Sequence, residues 1–146
     1  MSKLTGHCLC RAVEFSVSGA PSEIVHCHCE SCRRATSSPM TTFLIVQKSG
    51  FQYTRGAPRV YESSAGVRRS FCGACGSPLA YETDRRPDDI DLYVCSLDDP
   101  SAFAPEAHVH VAEQLPWFEI LDQLPRHELG SREAPPLRIG PRPIPC

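Results

Sequence analysis

The sequence lacks most of the features that would send a chain to a membrane or a nucleic acid. It has no run of about 18 apolar residues, so no transmembrane helix is expected. The opening residues Met1-Ser2-Lys3-Leu4-Thr5-Gly6-His7-Cys8 lack the apolar core of a secretion signal, which leads to the expectation of a cytoplasmic protein. Neither sign of charge dominates. A net charge of -2 and a pI near 6.3 argue against nucleic acid or anionic membrane as the main partner. No internal repeat is visible, and helical periodicity is scarce throughout.

What is present is mostly ordinary. The chain has 146 residues, 41% hydrophobic and 22% charged, which suits one domain with a modest core. The exceptions are fourteen prolines and nine cysteines. Without a secretion signal, that many cysteines argue for metal ligands, because cytosolic thiols are kept reduced. An odd number also fits a fully paired disulfide framework poorly.

Short alternating or β-branched runs predict strands at Ala12–Val17, Ile24–Cys29, Thr41–Val46, Phe51–Thr54, Leu79–Glu82, Ile90–Val94 and Ala107–Val111. Arg59–Ser63 and Val67–Phe71 flank Ala65-Gly66 and predict a hairpin leading into Cys72. Glu30–Ala35 predicts one short helical turn. The fold class expected is mainly β with little helix. A proline-rich tail over 128–146, ending in Cys146 as a free terminal thiol, is expected to be a mobile extension of a domain spanning 3–127.

Seven cysteines fall into three clusters: Cys8-Leu9-Cys10, Cys27-His28-Cys29-Glu30-Ser31-Cys32 and Cys72-Gly73-Ala74-Cys75. A C-x-x-C turn, given backbone freedom by Gly73 and Gly76, aims two thiolates at one point and so fills half of a tetrahedral zinc site. A closed site needs a second pair, and two candidates are present. Cys8 and Cys10, read as alternate positions of an extended segment facing one side, would complete a four-thiolate site with Cys72 and Cys75. Cys27, Cys29 and Cys32 would then offer three thiolates, the pattern of a reactive rather than a structural zinc. A redox dithiol at Cys72 and Cys75 lacks the βαβ surroundings such motifs have. A fourth ligand for the second centre could come from His26, His28, Cys95 or a bound small molecule. His26 and His28 would point away from the ligating positions, either as hydrogen-bond donors to a thiolate or as surface histidines. Cys95 reads as a core residue of an apolar strand and Trp117 as a core plug or pocket wall. Asp98 and Asp99 before Pro100 read as a turn, with acid–base roles as the alternative.

With these clusters placed, the chain resembles the glutathione-dependent formaldehyde-activating enzymes, also called the CENP-V/GFA domain family. The resemblance rests on Gly6-His7-Cys8-Leu9-Cys10, on Cys27 through Thr36, and on Phe71-Cys72-Gly73-Ala74-Cys75-Gly76-Ser77-Pro78-Leu79. It continues through Ser96–Pro100 and Leu115-Pro116-Trp117. It implies a β-tent fold, small antiparallel sheets pinned by two zinc ions. One ion would be structural, on Cys8, Cys10, Cys72 and Cys75; the other would sit on Cys27, Cys29 and Cys32 as the catalytic group. It also implies a carbon–sulfur lyase that joins glutathione or a similar thiol with a small aldehyde such as formaldehyde. Arg33 and Arg34 would meet a substrate carboxylate there. The competing reading is a non-catalytic zinc module that binds a thiol or a protein. Two positions depart from the family's usual pattern: Ser37, where glycine is common, and Cys95, where a smaller residue is usual.

Overall fold

The computed structural model describes residues 3–137 and divides them into two compact units. One comprises 3–25 and 42–105, the other 26–41 and 106–137. The fold is mainly β, as expected, with one α-helix among the described residues. Among the described residues, no helix is long and apolar enough to cross a membrane.

In the first unit, β1 (Leu4–His7), β2 (Glu14–Val17) and β5 (Phe51–Arg55) form a three-stranded sheet in the order β1-β2-β5. The alternation at Glu14–Val17 suggests one wet face, yet Ser16 is buried as well as Phe15 and Val17. β2 is the central strand of its sheet, and Gln52 covers Ser16 with a 3.4 Å hydrogen bond to its hydroxyl. A second antiparallel ladder runs β4 (Thr41–Gln47), β9 (Asp89–Tyr93), β8 (Pro78–Thr83), β7 (Val67–Phe71) and β6 (Arg59–Ser64). The continuous apolar run of β4 is buried from Phe43 to Val46, so both its faces are covered. β6 is the opposite case, an outer strand left almost wholly exposed. Leu44, Leu79, Ile90, Leu92 and Phe15 form the centre of this unit's core, into which Cys8 and Cys72 also pack.

β3 (Glu23–Cys27) starts in the first unit and ends in the second, where β10 (Ala107–Val109) lies beside it. α1 (Glu30–Thr36) follows β3 after two residues. The predicted strand from Ala107 to Val111 stops at Val109, because His110 turns into the left-handed region at φ 55°. Its N–H is held there by the Leu129 carbonyl at 2.9 Å. Residues 125–137 return alongside β10: His127 N–H meets the His108 carbonyl at 2.8 Å, and Leu137 N–H meets that of Arg126 at 2.7 Å. The rest of the proline-rich segment, 138–146 with Cys146, lies outside the described residues.

Candidate metal centres

The four cysteines of the first group come from two turns. Cys8 and Cys10 do not lie on an extended segment. β1 ends at His7, and Arg11 N–H reaches back to the Cys8 carbonyl at 3.1 Å with Arg11 at φ 63°. A tight turn therefore brings the two sulfurs to the same side. The other pair is closed by Gly76 N–H on the Cys72 carbonyl at 2.8 Å, with Gly76 at φ 77°. Gly76 supplies the freedom this turn needs; Gly73 has an ordinary φ and instead lies against the Arg59 side chain.

All four sulfurs lie within 4.8 Å of one another. Cys8 Sγ is 3.7 Å from Cys10 Sγ, and Cys10 Sγ is 3.8 Å from Cys72 Sγ. Sulfurs about 2.3 Å from a tetrahedral zinc stand about 3.8 Å apart, whereas a disulfide would bring them to about 2 Å. The spacing thus fits a four-thiolate metal site. Hydrogen bonds from the Ser77 hydroxyl and backbone pull Cys75 down to about 5. Ala12's backbone N–H pulls Cys10 down too, but the neighbouring thiols, Cys75 first, outweigh it and push Cys10 up to about 11.

Cys27, Cys29 and Cys32 form the second group, again with sulfurs within 4.8 Å of one another. Cys27 closes β3, Cys29 is the N-cap of α1, and Cys32 lies on the helix's buried side. Cys29 Sγ accepts the Cys32 backbone N–H at 3.3 Å, as a serine or aspartate does at other helix starts. The thiols of Cys27 and Cys32, with that N–H, hold Cys29 far below the ordinary thiol range. Cys27 moves the other way, raised by Cys29, Cys32 and its own burial. Among the described residues no histidine, carboxylate or further cysteine joins this group of three. Cys95 belongs to neither group and is exposed in the 3-10 turn Val94–Ser96, not in a strand core.

The residues around the second group are tied together closely. Arg33 Nε donates to the His28 carbonyl at 3.1 Å and its Nη2 to the Glu113 carbonyl at 3.1 Å. Arg34 is exposed and pairs with Glu30 at 2.9 Å across one helical turn. Glu113 Oε1 also accepts the Glu30 backbone N–H at 3.3 Å. His110 acts electrostatically on Cys29, favouring its thiolate. His28 is not a surface residue: it is fully buried and bonded to His108, which is bonded to Asp122. Burial, then electrostatic interaction with His108, His26 and Arg33, pushes His28 down to about 4. Burial alone would raise Asp122, but the His108 ring and the Leu124 N–H outweigh it and hold that carboxyl below its usual range. His108, His110, Glu113 and Asp122 were not singled out from the sequence. The alternation Ala107-His108-Val109 marks a face, but nothing in the sequence marks Asp122 as its partner. Trp117 is 71% exposed rather than a core plug. Asp98 accepts the Thr5 hydroxyl, with His7 3.3 Å away.

The family model of the glutathione-dependent formaldehyde-activating enzyme matches residues 3–113, which contain both cysteine groups. The chain belongs to that family. An uncharacterized lyase of Schizosaccharomyces pombe is 32% identical over 96 residues, covering 64% of this chain and 69% of the yeast protein. A crystal structure of a Rhodobacter sphaeroides protein has a similar fold, with a TM-score of 0.56 and 24% identity over 64% of this chain and 87% of that one. The family and the yeast relative support a lyase of the formaldehyde-activating type.

Proposed function

We propose that the chain is a zinc-dependent carbon–sulfur lyase that joins a thiol, glutathione or a close relative, with a small aldehyde. The observation that carries this reading is the inequality of the two cysteine groups inside a family of such enzymes: four sulfurs close one site, and three leave a place in the other. Zinc bound by Cys27, Cys29 and Cys32 would supply an open position that lowers the pKa of a substrate thiol.

The protein's own groups do the rest. Cys29 is the least buried of the three, and the helix start at its side favours negative charge there. Arg33 holds the turn to the Glu113 carbonyl while Arg34 offers an exposed guanidinium to a substrate carboxylate. In the joining reaction the sulfur attacks the carbonyl carbon, a C–S bond forms, and the thiol proton ends on the former carbonyl oxygen. Cys8, Cys10, Cys72 and Cys75 would hold the other zinc as a structural ion.

Two measurements test the proposal. Elemental analysis of protein purified without chelator should find two zinc ions per chain. Exchange NMR should show formation of the glutathione–formaldehyde adduct faster than the uncatalysed background. Background rates across several aldehydes would refute the enzyme reading, and calorimetric binding of glutathione without turnover would favour a thiol-binding module instead.

A further inference from the structure

Three polar side chains of the second unit form a continuous line into its interior. Asp122 is the outer end, 42% exposed at its side chain, and its Oδ2 lies 2.9 Å from His108 Nε2. His108 Nδ1 lies 2.8 Å from His28 Nε2. His28 is 0% exposed and His108 2%.

The direction of each bond follows from the outer end. An ionised carboxylate only accepts, so His108 Nε2 carries the hydrogen of that bond. His108 then has a lone pair on Nδ1, and His28 donates Nε2–H to it. That leaves His28 Nδ1 as a lone pair, and it is a buried atom without a hydrogen-bond partner among the described residues. The reverse order would set the Nε2 lone pair of His108 against the carboxylate, which costs more than one unmatched acceptor.

His28 stands between Cys27 and Cys29 in the chain, and its backbone is held as firmly as its ring. Its N–H donates to the Val109 carbonyl at 3.1 Å, and its carbonyl accepts Arg33 Nε at 3.1 Å. The line through His108 to Asp122 fixes the ring, so the residue that spaces the two sulfurs is anchored at its side chain as well as at its backbone. We propose that Asp122 and His108 are positioning residues for the three-cysteine centre: by fixing the tautomer and direction of the His28 ring, they set the Cys27–Cys29 spacing. The proposal rests on the reading of Cys27, Cys29 and Cys32 as a metal centre.

The test combines histidine 15N NMR of the full-length, metal-loaded protein with cobalt titration of wild type and Asp122→Asn. The substitution keeps side-chain size and an oxygen for the Leu124 N–H, now 2.9 Å from Oδ1, and removes the charge that selects the tautomer. Wild type should show both His28 and His108 as Nε2–H tautomers, and the variant should show the second tautomer at both rings. Cobalt affinity at the three-cysteine centre should fall about tenfold, the lower end of what losing a supporting hydrogen bond costs a metal site. The four-cysteine centre should not change. An Nδ1–H on His28 in the wild type overturns the proposal even if the variant does not fold. Equal loss at both centres would mean general loosening and also overturn it. Cobalt at both centres with identical affinities in the two proteins overturns the proposal alone. Wild type that takes cobalt only at the four-cysteine group overturns the metal reading and the proposal with it.

Discussion

Ser37 offers a prediction whose size can be worked out from one backbone angle pair. It ends α1 at φ 52° and ψ 39°, where its N–H returns to the Arg33 carbonyl and Ser38 N–H meets the same oxygen at 3.2 Å. For a residue with a Cβ this left-handed conformation costs about 1–2 kcal/mol, and for glycine almost nothing. Glycine in turn gives the unfolded chain more freedom, which costs about 0.5–1 kcal/mol. Ser37 is exposed, so its hydroxyl contributes little to packing. Ser37→Gly should therefore stabilise the protein by about 0.5–1 kcal/mol, or about 1–4 °C in Tm for a chain of this size. Ser37→Ala keeps the Cβ and should leave stability within about 0.5 kcal/mol. The assay is urea unfolding of the metal-loaded protein, with the m-value checked to be the same in each variant. If Ser37→Gly matches or falls below wild type at an unchanged m-value, the strain argument at this helix end is wrong.

At Gly76 the same conformation predicts the opposite sign: Gly76→Ala should cost about 1 kcal/mol in urea unfolding, although a Cβ there meets nothing within 4 Å. Leu44→Ala, at a position with 0% exposure in the centre of the first unit, should cost about 2–5 kcal/mol by the same measurement. Arg34→Ala should raise the KM for glutathione with kcat little changed, because its exposed guanidinium would hold substrate and transition state alike. A matching fall in kcat would place Arg34 in the chemistry instead.

How much of this was legible beforehand depends on the range over which each signal acts. Cys27, Cys29 and Cys32 lie within six residues, so spacing alone groups them, and the count of sulfurs then assigns Cys8 and Cys10 to Cys72 and Cys75. The strands were legible wherever burial follows a simple pattern, as in β4 and β9. The errors were of a different kind. Cys8 and Cys10 were read as extended because alternation cannot be told from a tight turn at two-residue spacing. Trp117 and Cys95 were read as core because residue type indicates what burial would gain, not whether a neighbour is there to provide it. The line from His28 to His108 spans 80 residues of sequence, and no local pattern links its two ends.

The two cysteine groups also differ in what metal binding would do for folding. A metal on Cys8, Cys10, Cys72 and Cys75 ties together positions as far apart as Cys10 and Cys72, 62 residues along the chain. Closing a loop of that length removes considerable freedom from the unfolded chain, so binding there contributes directly to stability. The same sulfurs are joined to β-sheet core: Cys8 and Cys72 pack with Leu44 and Leu79, which makes the site part of the fold it supports. A metal on Cys27, Cys29 and Cys32 closes only a six-residue stretch that β3, α1 and the bonds of Arg33 already hold in place. Little folding energy is gained there, so a structural role gives little reason for three thiolates at that point. That difference accords with the proposed reading of the second group as an open metal site rather than a structural one.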